Sequence, residues 1–123
     1  MSSAWEFTPF DEVEQHRHPI LPDSERYRLV RAHYDIRYDG GDSNVTLYLQ
    51  HQETAETRCL LFAGATLRHP ISEVHGLYIL DIRYRGWELS VEVGEYFEDG
   101  GVFFHARSVR DITSQTDEPH RVA

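Results

Sequence analysis

At 123 residues, 40% of them apolar and 12% aromatic, the chain has the length and composition of one globular domain with one hydrophobic core. It holds no apolar run near the roughly 20 residues of a membrane-crossing helix, and its opening, MSSAWEFTPFDEVEQ, has neither the basic start nor the apolar stretch of a signal peptide, so a soluble, cytoplasmic protein is expected. Twenty-one acidic residues against 12 basic ones give a net charge of −9, which repels phosphate backbones: nucleic acid and membrane surfaces are not expected as partners, whereas a basic protein is.

Thr8-Pro9-Phe10-Asp11 resembles a cap followed by a first-turn proline, and predicts a short N-terminal helix across residues 9–17 with Phe10 and Val13 facing the core. Pro19 and Pro22 in HRHPILP end it. From there the apolar rhythm is two, the period of strands. In YRLVRAHYDIRY, residues 27–38, the alternation places Val30, Ala32, Tyr34, Ile36 and Tyr38 on one face and Arg31, His33, Asp35 and Arg37 on the other. Asp39-Gly40-Gly41-Asp42 then reverses the chain into NVTLYLQHQ, where Val45, Leu47 and Leu49 are in phase, so residues 27–51 read as a hairpin.

RCLLFAG is apolar on both faces and predicts a central strand; its Cys59, the only cysteine, reads as a small buried hydrophobe. LYILDIRY, residues 77–84, behaves similarly at its start. Arg85-Gly86 reverses it into WELSVEV, with Trp87, Leu89, Val91 and Val93 inside and Glu88, Ser90 and Glu92 outside. VFFHARSV, residues 102–109, is read as one further strand, joined to WELSVEV through Asp99-Gly100-Gly101, where glycine supplies the positive φ of a tight turn and Glu95, Glu98 and Asp99 crowd an exposed tip. Residues 1–8 and 113–123 are expected to fray. The expected fold is therefore all-β and mainly antiparallel: one domain of about six strands, as a small curved sheet, barrel or two-layer sandwich.

DIRYDG at 35–40 recurs as DIRYRG at 81–86, an offset of 46 that also carries Val45 onto Val91 and Leu47 onto Val93. Chance recurrence in β-rich sequence is the preferred reading, a duplicated three-strand unit the alternative. Each copy sets an aspartate and an arginine two residues apart on one strand face, Asp35 with Arg37 and Asp81 with Arg83, each followed by a tyrosine, Tyr38 and Tyr84. Were the two strands neighbours, these charges would form a ladder. Arginine and tyrosine are favoured interface anchors, which makes these six residues the candidate partner-binding set.

Other chemistry finds little support in the sequence. His16-Arg17-His18 has the spacing of two imidazoles on one side of an extended chain, but the glutamate and glycines that accompany such a pair in cupins are absent. Neither a nucleophile elbow, a Cys–His signature nor a phosphate loop is present. No cofactor, metal or catalytic residue is expected. The exclusive use of arginine fits codon bias in a GC-rich genome, and still gives every basic residue a planar fork for carboxylates.

The succession LPDSERYRLVRAHYDIRYDGGDSNVTLYLQ, RCLLFAGATLR and LYILDIRYRGWELSVEVGEYFEDGGVFFHARSV resembles small bacterial β-rich proteins, including the immunity proteins of polymorphic toxin systems. Pro22-Asp23-Ser24 stands at the step into the first strand, and Leu61-Phe62-Ala63-Gly64 where that group has Leu-x-Phe-x-Gly. The resemblance implies a non-catalytic protein that binds and neutralises a toxin, and it transfers no individual site residue. Two alternatives stand beside it. A small-ligand barrel or enzyme would aim His33, Asp35 or His105 into a cavity. A structural homo-oligomer would show an apolar outer stripe of Tyr27, Leu29, Tyr48 and Phe103.

Overall fold

The computed structural model describes residues 9–67, 76–95 and 101–114, in which the alternating segments form eight strands. These are β1 (Tyr27–Asp35), β2 (Asn44–His51), β3 (Thr57–Ala63), β4 (Thr66–Leu67), β5 (Leu77–Asp81), β6 (Val91–Glu95), β7 (Val102–Ala106) and β8 (Ser108–Asp111). All pairings are antiparallel, and they build two four-stranded sheets, ordered β1-β2-β3-β8 and β4-β7-β6-β5. The fold is all-β, as expected, with two layers rather than a closed barrel. Its two strands beyond the expected six come from segments that change sheet.

VFFHARSV is not one strand. It breaks at Arg107, so that β7 belongs to one sheet and β8 to the other. The chain makes a matching crossing at Gly64-Ala65, between β3 and β4. The two corners lie together: Arg107 N–H donates to the Ala63 carbonyl at 2.9 Å, and Gly64 holds a left-handed φ of +65° where a Cβ would meet the Arg107 side chain at 2.9 Å. Glycine is required there on both counts. Each sheet is thus a three-strand meander, β1-β2-β3 or β5-β6-β7, completed by the strand that follows the other meander.

The 46-residue offset maps one half onto the other. It carries the end of β1 onto the end of β5, and Gly40 onto Gly86, both with positive φ (+90° and +74°). It carries Val45 and Leu47 of β2 onto Val91 and Val93 of β6, all four fully buried in the core. The repeated letters therefore mark equivalent positions in two units of like topology.

The inner faces of the sheets enclose the main core, in which Leu47, Leu49, Leu60 and Phe62 meet Ile79, Val91, Val93 and Phe104. Phe62 and Phe104 pack edge to face with centroids 5.1 Å apart. β3 is central, between β2 and β8, and Cys59 is buried on it, both as expected.

The phase of β1 differs from the sequence reading because a bulge between Leu29 and Arg31 inserts Val30 as an extra residue. Tyr27 and Leu29 therefore face the core, Val30 is expelled and 57% exposed, and Ala32 and Tyr34 return inward. The proposed outer stripe does not form: Tyr27 and Phe103 belong to the core, Leu29 packs against it, and of the four only Tyr48 stands on the outer face. Strand β1 ends at Asp35, so Tyr38 lies beyond it and is 93% exposed. Likewise β5 ends at Asp81 and passes into a 3-10 turn, Arg83–Arg85, closed by Gly86 at φ +74°. Trp87 is consequently outside the strand that begins at Val91.

The N-terminal helix exists as α1, Phe10–Gln15, with Pro9 at its N-cap. Its Val13 packs on Tyr78, Leu80 and Ile82, covering the outer face of the second sheet. Residues 16–18 then run beside β5, His18 N–H bonding the Ile79 carbonyl at 2.8 Å and Asp81 N–H the His16 carbonyl at 2.9 Å, which closes that sheet edge. Pairing of β6 with β7 supports the second hairpin, whose turn residues Asp99 and Gly100 lie outside the described residues. Of the C-terminal segment, Thr113 is anchored: its hydroxyl accepts from Cys59 N–H at 2.9 Å.

Candidate functional site

A carboxylate is buried beneath the turn that follows β5. The β6 alternation puts Glu92 on the outer face of its sheet, where the sequence suggests solvent, yet α1 and the segment after it cover that face and leave Glu92 1% exposed. Tyr78, Arg85 and His105 reach it. Tyr78 Oη donates to Oε2 at 2.8 Å, Arg85 Nη1 to Oε1 at 2.7 Å, and His105 Nε2 lies 3.1 Å from Oε1. Arg85 reaches outward as well, with Nη2 on Glu12 Oε2 of α1 at 2.8 Å. A buried ion with this many partners resists displacement, because removing one partner leaves an uncompensated charge. The network thus ties β5, β6, β7 and α1 to the 3-10 turn.

Above the network the turn and the residue after it present two aromatic side chains, Tyr84 and Trp87. Tyr84 stacks on His16 with centroids 3.8 Å apart and planes 12° from parallel. Trp87 meets His105 edge to face at 5.6 Å, and the Arg85 guanidinium lies 5.1 Å from the Trp87 ring centre and 5.6 Å from that of Tyr84. Both rings are held from beneath yet half open to water, Tyr84 at 48% and Trp87 at 51% exposure. Alongside Tyr84 opens a cleft of about 520 Å³ lined by Gln15, His16, Arg17, Asp81, Arg83 and Tyr84.

Electrostatics in the cleft are largely internal. Arg83 grips Asp81 through Nη2 to Oδ2 at 2.6 Å and Nε to Oδ1 at 2.9 Å, and Asp81 Oδ1 also accepts the Arg83 N–H, so hydrogen bonding from Arg83 holds the Asp81 carboxyl below its usual range. Arg17 is fastened to Glu25 at 2.6 Å, Glu14 at 2.7 Å and the Pro22 carbonyl at 2.9 Å. Just behind, burial lowers the His18 pKa against the opposing pull of Asp81. The Arg83 side chain remains 76% exposed and offers the rest of its fork outward. Such a surface offers ring faces for stacking and arginine N–H groups for hydrogen bonding.

Of the six residues singled out from the sequence, the cleft collects Asp81, Arg83 and Tyr84 and leaves out Asp35, Arg37 and Tyr38. β1 and β5 belong to different sheets, so the two aspartate–arginine segments are not neighbours in a ladder. Each arginine instead closes on a nearby aspartate, Arg37 on Asp39 at 2.9 Å and Arg83 on Asp81. His33 and Asp35 point to solvent, and His105 is packed against Glu92 and Trp87 rather than facing a cavity. His16 and His18 are engaged separately, the first on Tyr84 and the second through Nδ1, which accepts the Ile20 N–H at 3.1 Å. Among the described residues no group of three His, Cys, Asp or Glu side chains is placed to hold a metal ion.

Sequence reasoning missed Glu92, Tyr78, Arg85 and Glu12, whose association depends on a helix folding back over a distant sheet. No family model, curated protein or solved structure matches the chain.

Proposed function

We propose that the protein is a non-catalytic protein-binding domain, of the immunity type that its sequence resembles, and that it engages its partner through Arg83, Tyr84 and Trp87. The supporting observation is the half-exposed Tyr84–Trp87 pair beside an outward-facing arginine, fixed in place by Arg85 and the buried Glu92. Aromatic and arginine side chains are the residues that most often dominate interface energies, and a surface already rigid loses little entropy on binding. The acidic balance of the chain favours a basic partner.

The test is calorimetric titration against the purified products of the genes that flank its own. A binding product is expected, with affinity that falls as salt rises, and Tyr84→Ala and Trp87→Ala are each expected to weaken it at least tenfold while leaving the melting temperature within a few degrees. Affinity unchanged in both variants would remove this surface from the function.

A further inference from the structure

The outer face of the first sheet carries a second surface, marked by exposed arginines. Six of the ten arginines among the described residues, Arg17, Arg37, Arg58, Arg83, Arg85 and Arg107, lie within 4.0 Å of a carboxylate. Arg26, Arg28, Arg31 and Arg110 do not, although acidic residues outnumber basic ones by 21 to 12 in the chain. Arg26 lies in the 3-10 turn before β1, whereas Arg28 and Arg31 on β1 and Arg110 on β8 are exposed on the sheet face turned away from the core.

The register makes one surface of them. Arg28 lies opposite Gln50 and donates to its Oε1 at 2.8 Å, and Arg31 lies opposite Tyr48 with its guanidinium 4.1 Å from the ring centre. His33, Thr46, Leu61 and Arg110 follow one another across the four strands, each opposite the next. At about 4.8 Å between strands, that row spans roughly 14 Å. The bulge at Val30 and the stacking on Tyr48 fix the β1 arginines with their forks toward solvent. The only carboxylate that alternation places on this face among the described residues is Asp35, at the end of β1.

We infer that this face is a docking surface for an acidic, extended segment of a protein partner. Arginine forks pair carboxylates bidentately, and alternate side chains of an extended segment recur about every 7 Å, so a segment laid across the strands can set one acidic side chain near Arg31, on β1 beside His33, and another at Arg110. Nucleic acid fits less well, because its evenly charged backbone would also meet the negative remainder of the molecule. The inference is independent of the Tyr84–Trp87 surface, which lies on the other sheet.

The probe is a fluorescein-labelled peptide of alternating glutamate and serine, titrated by fluorescence anisotropy at 20 mM and 200 mM salt, with a single-stranded oligonucleotide of equal charge as comparison. The peptide is expected to bind the intact protein more tightly at low salt and more tightly than the oligonucleotide. The triple variant Arg28→Gln, Arg31→Gln, Arg110→Gln is expected to bind at least tenfold more weakly with an unchanged melting temperature, and the single variant Arg110→Gln to bind severalfold more weakly. Arg37→Gln, which removes an equal charge elsewhere, is expected to bind as the intact protein does. No binding at low salt, equal binding by the triple variant, a matching loss in Arg37→Gln, or preference for the oligonucleotide would each overturn the inference.

Discussion

Replacing Glu92 with leucine tests whether the buried network holds the turn that carries Tyr84 and Trp87 in place. Leucine matches the glutamate stem in size but accepts no hydrogen bond, so the Tyr78 hydroxyl and the inner side of Arg85 each lose an acceptor. A buried donor without a partner costs about 1–3 kcal/mol, and breaking one side of a buried ion pair about 3–5 kcal/mol. Arg85 keeps Glu12, which tempers the loss, so about 3 kcal/mol is expected, a large share of the 5–15 kcal/mol typical of a domain. In urea, with a slope of about 1.5–3 kcal/mol/M, the midpoint should fall by about 1–2 M. The decisive measurement is the cycle with Arg85→Met. Arg85→Met takes the arginine from the buried Glu92 and Glu92→Leu leaves Arg85 with Glu12 alone, whereas the double variant Glu92→Leu, Arg85→Met removes both members of the pair, so its cost should lie at least 1 kcal/mol below the sum of the singles. Additive costs, or a stable Glu92→Leu variant, would refute the argument that this pair organises the turn.

Gly94→Ala should destabilise the protein by about 1–3 kcal/mol in the same urea assay, because a methyl there falls on the Tyr78 ring and 2.7 Å from the Gly101 carbonyl oxygen. Gly64→Ala should cost about 1–2 kcal/mol through its left-handed φ and the crowding by Arg107. Burial lowers the His18 pKa, so its ring protons should titrate in an NMR series below the ordinary value of about 6.5. Since its unfolded state then binds the proton more readily, His18 should make the protein lose stability as pH falls through about 6.5, and His18→Asn should flatten that part of the curve.

The strands were legible where alternation is local. β2, β3 and the start of β5 follow directly from their apolar residues, and the two glycine turns at Gly40 and Gly86 from their composition. The errors have physical causes at longer range. Nothing in YRLVRAHYD announces the extra residue at Val30, because a bulge is fixed by its pairing with Leu49 and Tyr48. The break at Arg107 depends on the corner beside it at Gly64, 43 positions earlier in the chain. Alternation also says which face a residue takes, but not whether that face meets water; Glu92 was placed on the correct side and given the wrong surroundings. Half of the candidate site, Asp81, Arg83 and Tyr84, was visible through composition, while the support beneath it required α1 to cover the sheet.

The two crossings at Gly64 and Arg107 make each half of the chain a donor to the other. β4 leaves the first meander to finish the second sheet, and β8 leaves the second meander to finish the first, so neither half closes its own sheet. A cut between β4 and β5 would yield two fragments that each lack a strand and hold the strand the other lacks. Neither is built to fold by itself, and mixed together they have every contact needed to restore the whole, which makes this chain a natural scaffold for a split-protein reporter.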